Sequence, residues 1–340
     1  MKKKMLKCAM GEGNMKTIAI VATGGTIAGR GQIGKAVAYH AGEMDVNEII
    51  QSIPMLNQVA HIKEYQLMNV DSNEMTPQRW LVLSQKINEL VRQDDIDGIV
   101  VTHGTDTLDE TAYFLTLTLH TSKPVVVTGA MRPATATSAD GPYNLYQAVC
   151  LAAHDEARNQ GVMGLFSSTI FSGRDIQKVN NYKVDAFEQK AFGCLGYMQD
   201  HEVHFFSKTF KKHTIHSLFS SFDYHDLPAV GIAYFYAGAS HEILYSLALN
   251  HQGIILTGSG SGNYSQDWLH AIEDLSKQGI IFVRCSRVSQ GIVFDDEVFD
   301  PHHLCIPGNT LTPQKARVLL MLALTYTHDL DKIKELFNEY

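Results

Sequence analysis

The run Thr17-Ile-Ala-Ile-Val-Ala22 ends in Thr23-Gly-Gly-Thr-Ile-Ala-Gly29, and the run Gly98-Ile-Val-Val-Thr102 ends in His103-Gly-Thr-Asp-Thr107. Both runs are short, rich in β-branched residues and apolar without alternation, and both stop at a glycine-bearing turn. A third run of this kind, Pro124-Val-Val-Val-Thr128, follows. Strands that show no polar face are covered on both sides, the mark of a parallel sheet flanked by helices. The intervening sequence supplies those helices. Asp45 caps a helix through Ile53, stopped by Pro54. Thr76-Pro77 places an N-cap before a proline at the first helical position, and the helix runs toward Arg92. Another helix follows Asp106 and extends to about Leu119.

The expected fold is α/β, with a larger N-terminal, doubly wound, mainly parallel sheet domain over 17–206 and a smaller C-terminal α/β domain over 228–340. The 340 residues suit about two domains at roughly 100–200 residues each. Residues 1–16 read as an N-terminal tail. Residues 207–227, with Lys208, Lys211, Lys212, His213, His216 and several serines but little periodicity, read as a linker. Beyond it come strand-like runs at Val230–Tyr236, Ile254–Leu256 and Ile280–Val283. Helices are expected near His241–Asn250 and Gln266–Lys277, with a last one from Thr312-Pro313 into the 320s.

Composition excludes several classes. The chain has 28 Lys+Arg against 36 Asp+Glu, a net charge of −8, which argues against a nucleic-acid partner. Its longest apolar stretches, such as Val318–Ala323, fall well short of the ~20 residues that span a bilayer, so no membrane partner is expected. The Met-Lys-Lys-Lys start looks like the head of an export signal, but Lys7, Glu12 and Asn14 interrupt the apolar core that should follow. Five scattered cysteines, with no Cys-x-x-Cys, suit reduced thiols; together these point to the cytoplasm. Sixteen histidines show no metal-site spacing, so no metal and no cofactor are expected.

In open α/β sheets ligands bind beyond the carboxyl ends of the strands, so the two glycine-bearing turns are where chemistry belongs. Thr23–Gly29 has neither the dinucleotide nor the P-loop spacing, and a hydroxyl on each side of two glycines suits a nucleophile on a tight turn. Asp106 admits two readings, a cap on the next helix or part of a site. His103 reads as packing or support for its turn, Arg132 as a loop anchor, and Trp80 and Trp268 as packing.

These two turns resemble the signature segments of the bacterial-type L-asparaginase family, which includes the glutaminase-asparaginases. The resemblance continues through Val127-Thr-Gly-Ala-Met-Arg-Pro133, Ser138-Ala-Asp-Gly-Pro142, Gly173-Arg-Asp-Ile-Gln-Lys178, the glycine-rich 258–263 segment and Pro313-Gln-Lys-Ala-Arg-Val-Leu-Leu320. It implies L-asparagine as substrate, with L-glutamine open as a second. It also implies a homotetramer built as a dimer of intimate dimers. Periplasmic location is the alternative to the cytoplasm, because type II relatives are often exported.

Residue by residue, the resemblance implies that Thr26 is the nucleophile, Tyr39 the tyrosine of a lid over Gly31–Gly42, and Thr105, Asp106 and Lys178 the second catalytic set. Ser72 matches the serine that grips the substrate carboxylate, and the carbonyl of Ala130 the group that holds the side-chain amide. Asn263 and Glu297 match residues contributed by a neighbouring subunit. Backbone N–H groups of the glycine-rich turns, at Gly25 and Gly104, are candidates to bind substrate and stabilise an oxyanion. A threonine hydroxyl needs a base before it attacks, and a lysine serves as that base only in its neutral form. Many type II relatives carry Gly-Ser-Gln-Asp-Met where this chain has Asp71-Ser72-Asn73-Glu74-Met75, and Ser261 stands where relatives often carry Asn. These departures bear on the grip on the substrate's α-groups, as does Asn73 itself. Two other functions compete with asparagine hydrolysis. A non-catalytic amino-acid sensor is disfavoured because every matched catalytic position is filled. An ammonia-supplying amidotransferase subunit is disfavoured because such subunits carry an extra N-terminal domain, whereas about 16 residues precede the first run here.

Overall fold

The computed structural model describes residues 15–31, 39–40, 45–189, 192–298 and 300–340. The chain divides into two compact units, Met1–Asp223 and Tyr224–Tyr340.

Unit 1 is built on an eight-stranded sheet. Its strands are β1 (Thr17–Gly24), β2 (His61–Val70), β3 (Gly98–Thr102), β4 (Val125–Thr128), β5 (Val162–Phe166), β6 (Thr169–Ser172), β7 (Gly196–Gln199) and β8 (Glu202–Phe205), in spatial order β8-β7-β6-β5-β4-β3-β1-β2. Pairings β1–β2, β1–β3, β3–β4 and β4–β5 are parallel; β5–β6, β6–β7 and β7–β8 are antiparallel. The sheet is therefore mainly parallel at its centre, with an antiparallel extension that the runs of β-branched residues did not announce. β1 lies between β2 and β3, so strand order reverses there, and the crevice beyond the ends of β1 and β3 is the switch point at which ligands bind in such folds.

The helices of unit 1 are α1 (Val46–Gln51), α2 (Leu56–Val59), α3 (Pro77–Val91), α4 (Leu108–Thr118) and α5 (Gly141–Ala152). The Asp45 carboxylate accepts from Glu48 N at 2.9 Å and Thr76 Oγ1 from Arg79 N at 3.3 Å, so both predicted caps form. α1 ends at Gln51, short of the expected Ile53. Ile18, Ile20, Ala22, Val100 and Val126 point to the α5 side, against Leu145, Ala148 and Val149. Successive strand residues face opposite sides, and the alternate set Ala19, Val21, Ile99, Val101, Val125 and Val127 is equally buried. Each such Val or Ile contributes roughly 1.5–3 kcal/mol by leaving water, which is why residues 18–22, 99–101 and 125–127 are apolar throughout.

Within the segment expected as a linker, Thr214–His216 and Leu218–Ser221 form two short 3-10 turns that pack on α4. Phe219 there is fully buried, and Ser220 Oγ is 3.1 Å from His120 Nδ1. That stretch belongs to unit 1, and the division falls at Asp223.

Unit 2 has four parallel strands in sequential order, β9 (Val230–Tyr234), β10 (Gly253–Gly258), β11 (Ile281–Ser286) and β12 (Cys305–Pro307). Its helices are α6 (Glu242–Ala248), α7 (Gln266–Ser276), α8 (Pro313–Tyr326) and α9 (Leu330–Glu339). Leu244 of α6 and Trp268, Ala271, Ile272 and Leu275 of α7 share a core with Ile254, Leu256 and Phe282. The helix expected to be last, α8, is followed by α9, which buries Ile333, Leu336 and Phe337.

Candidate active site

The two signature turns meet at the switch point. Thr23 Oγ1 donates to the Thr102 carbonyl at 2.9 Å and ties the ends of β1 and β3 together. Gly25 then adopts φ +83°, and a Cβ there would lie 2.3 Å from Gly104 N. Only glycine permits that approach. The turns touch backbone to backbone, and Thr26 opens the 3-10 turn Thr26–Ala28 with 6% exposure.

The second turn is clamped from the other side by the end of β2. A Cβ on Gly104 would come within 2.8 Å of Ser72 Cβ. Ser72 is 3% exposed; its Oγ accepts from Asp106 N at 3.2 Å and its carbonyl accepts from the Thr107 hydroxyl at 2.7 Å. The two departures at Asp71 and Asn73 are partners: one Asp71 carboxylate oxygen accepts from Asn73 N at 2.8 Å and from Asn73 Nδ2 at 2.9 Å. The shorter amide is thereby turned back onto its own loop.

Lys178 reaches this turn from a two-stranded ribbon, Gln177–Lys178 against Phe187–Glu188. Its Nζ donates to Thr105 Oγ1 at 2.8 Å and to Asp106 Oδ1 at 2.6 Å. The Lys178 side chain is 15% exposed and that of Asp106 55% exposed. Asp106 does not cap α4, whose cap position is Thr107, and the Thr107 side chain makes no cap bond to the helix either. Of its two readings, the cap fails and the carboxylate is committed to Lys178.

Behind the turn stands His103, fully buried. Its Nδ1 is 2.7 Å from the Gly104 carbonyl, its Nε2 is 3.0 Å from Thr111 Oγ1, and Trp80 Nε1 donates to Thr111 Oγ1 at 2.8 Å. A carbonyl only accepts, so Nδ1 carries the proton, Nε2 accepts, and Thr111 donates to it. Burial holds the imidazole neutral, with its pKa pushed down to about 4 against the raising effect of the Gly104 carbonyl. The unfolded chain binds this proton near 6.5 and the folded chain near 4, so stability falls as pH drops through that window. The expected loss is about 3 kcal/mol in all. Denaturant unfolding at pH 7, 5.5 and 4 checks it: a His103→Gln variant should show a flatter stability–pH slope, and an unchanged slope contradicts the assignment. Trp80, read as packing, also donates in this chain; a buried indole N–H needs such a partner.

Ala130, fully buried, follows β4. Arg132 Nη1 donates to the Ser138 carbonyl at 3.1 Å, a loop anchor as read. Tyr39 pairs with Gly31 through its backbone. The lid expected over 31–42 falls largely on 32–38 and 41–42, outside the described residues, as does the expectation for the Tyr39 side chain; the tail over 1–14 lies outside them too.

Asn263 and Glu297 belong to unit 2. Asn263 is exposed and closes the 258–263 loop, with Ser259 N donating to its carbonyl at 2.9 Å and its own N to Ser259 O at 2.6 Å. Buried Arg284 holds both neighbourhoods, through Nη1 to Ser261 O at 2.8 Å and Nη2 to Phe294 O at 2.6 Å. The Glu297 side chain is 83% exposed, 3.8 Å from His303 Nε2. Among the described residues no group of three or more His, Cys, Asp or Glu could hold a metal ion.

Comparison with known families gives a match to the model described as "Asparaginase, N-terminal" over residues 17–211 and to "Glutaminase/Asparaginase C-terminal domain" over 229–337. The chain belongs to the asparaginase family. It is 42% identical over 328 residues to "L-asparaginase 2" of Escherichia coli (strain K12), covering 96% of this chain and 94% of that one. It is 39% identical over 330 residues to the "Glutaminase-asparaginase" of Pseudomonas fluorescens biotype A, covering 96% and 91%. Among solved structures it resembles a "probable cytoplasmic L-asparaginase" from Campylobacter jejuni, with TM-score 0.91, 42% identity, and coverage of 96% of this chain and 100% of that one. Asparaginase relatives also include a "probable L-asparaginase periplasmic" from Haemophilus influenzae, 41% identical over 329 residues and covering 96% of this chain and 94% of that one. No helix among the described residues is long and apolar enough to cross a membrane.

Proposed function

We propose that this asparaginase-family protein hydrolyses L-asparagine to L-aspartate and ammonia, with Thr26 as nucleophile and an acyl-enzyme between two half-reactions. The observation that carries this reading is the Thr105–Lys178–Asp106 set hydrogen-bonded beyond β3, with the Thr26 turn packed against it through Gly25 and Gly104. Thr26 Oγ attacks the carboxamide carbon as its proton passes into the Thr105–Lys178 pair. The developing oxyanion is met by backbone N–H groups of the two turns. The C–N bond breaks, the leaving nitrogen takes a proton and departs as ammonia, and Thr26 is left as an ester of aspartate. Water then attacks that ester, releases aspartate and restores the Thr26 hydroxyl.

Ser72, Asn73 and the backbone N–H of Gly104 hold the substrate's α-carboxylate end, Asp106 its α-ammonium, and the Ala130 carbonyl its amide N–H; the Gly25 N–H, expected to share the carboxylate, donates instead to the Val70 carbonyl at 3.1 Å. Tyr39 closes over the nucleophile as part of a lid that excludes water. Exposed Asn263 and Glu297 complete the site of a neighbouring subunit in a homotetramer, a dimer of intimate dimers. The protein works in the cytoplasm; the free thiols of Cys150, Cys194, Cys285 and Cys305 support that placement.

Ammonia release across substrate concentration tests the function. L-Asparagine is the expected substrate, and L-glutamine, one methylene longer, is expected to be turned over with kcat/KM lower by roughly 10–200-fold. A folded protein that releases ammonia from neither contradicts the reading.

A further inference from the structure

We infer that Asp140 is a positioning residue that aims the Ala130 carbonyl at the substrate's side-chain amide; this rests on the reading that Ala130 holds that amide. Asp140 stands directly before α5, and its backbone carbonyl accepts the first helical bond, from Asn144 N at 3.0 Å. An aspartate at that position ordinarily turns its carboxylate onto the first N–H groups of its own helix. Asp140 makes no such cap. Its carboxylate reaches back instead, with Oδ2 accepting from Met131 N and Oδ1 from Arg132 N, both at 2.9 Å.

The Ala130 carbonyl and the Met131 N–H belong to one planar trans peptide and point in opposite directions. Fixing that N–H fixes the direction of the carbonyl. The preceding peptide is held from the same helix start. Asn144 Nδ2 donates to the Gly129 carbonyl at 3.0 Å and to Asp140 Oδ2 at 3.3 Å, and its Oδ1 accepts from Ser167 N at 3.3 Å. Asn144 is 2% exposed, so this brace is shielded from water. Both peptides flanking Ala130 are pinned by side chains, in a loop that has left the ladder of β4. A hydrogen bond weakens steeply as its angle closes toward ~120°, so a peptide free to rock would lose the amide N–H for part of the time. Asp140 and Asn144 therefore serve the amide-specific contact and not the acyl chemistry as such.

The test compares two substrates that deliver the same acyl group. L-Asparagine presents amide N–H donors to Ala130, whereas the β-methyl ester of L-aspartate presents none and loses methanol instead of ammonia. For Asp140→Asn, which keeps the side-chain shape but sets an NH2 against a backbone N–H, kcat/KM on asparagine is expected to fall about tenfold or more. On the ester it should change by less than about threefold. Asn144→Ala, which frees the Gly129 carbonyl, is expected to show the same split and serves if the first variant does not fold; thermal melts report folding. An equal fall on both substrates, or no fall on asparagine, overturns the inference while leaving asparagine hydrolysis by the wild type intact. A wild type inactive on asparagine removes the underlying reading, and this inference with it.

Discussion

Lys178→Met is expected to lower kcat on L-asparagine by about a thousandfold, with a folded protein and KM changed far less. The lysine is the group that joins the second turn into a proton path: its Nζ lies 2.8 Å from Thr105 Oγ1 and 2.6 Å from Asp106 Oδ1. A positioned proton-transfer group contributes typically 10²–10⁴-fold to a rate. Methionine keeps the length and apolar stem of the side chain and removes the donors. The ion pair itself adds little to stability. Asp106 is 55% exposed and regains water when its partner goes, so the change in folding free energy should stay within about 1 kcal/mol. Steady-state ammonia release and a denaturant melt check both halves. A kcat within tenfold of wild type would remove Lys178 from the chemistry. Equal loss of kcat and folding would reduce it to a structural residue.

The centre of the sheet was readable because its strands need no partner to announce themselves. Thr17–Ala22, Gly98–Thr102 and Val125–Thr128 are apolar on both faces, and burial on both faces has one common cause. The caps at Asp45, Thr76 and Thr312 were readable for a local reason, since each satisfies an N–H a few residues away. β2 was not. Its sequence, His61-Ile-Lys-Glu-Tyr-Gln-Leu-Met-Asn-Val70, is half-exposed and polar, and only pairing with β1 makes it a strand. The antiparallel β6–β8 and the short β12 are likewise defined by their neighbours rather than by their own composition. α9 did carry a signal, the helical spacing of Ile333, Leu336 and Phe337 after Asp329, but it lies beyond the strand–helix alternation that guided the reading.

The site divides in the same way. Thr26, Thr105, Asp106, Lys178 and Ser72 could be named because motifs place them, yet motifs say nothing of what each side chain does. That Asp106 pairs with Lys178 instead of capping α4, and that Asp140 leaves its own helix to grip Met131 and Arg132, are choices between two local partners. Sequence offers both partners and only packing selects one. His103 is the same case: the Gly104 carbonyl is its own neighbour in sequence, but Thr111 and Trp80 come from two helices that meet it only in the fold.

Thr26→Ala tests the account at its centre. The residue is buried on a turn held by Gly25 against Gly104, and in this mechanism every asparagine turned over forms an ester with its hydroxyl. Alanine keeps the backbone and removes the hydroxyl together with the γ-methyl group, so folding should survive while the covalent route disappears. Loss of a nucleophile whose partners remain costs about 10⁴-fold or more in kcat. The measurement is ammonia release from L-asparagine by the purified variant, with its thermal melt alongside that of the wild type. A native-like melt with kcat reduced about 10⁴-fold or more is the result expected. A variant that keeps more than about a tenth of the wild-type kcat would contradict Thr26 as the nucleophile and leave Thr105 as the residue that attacks.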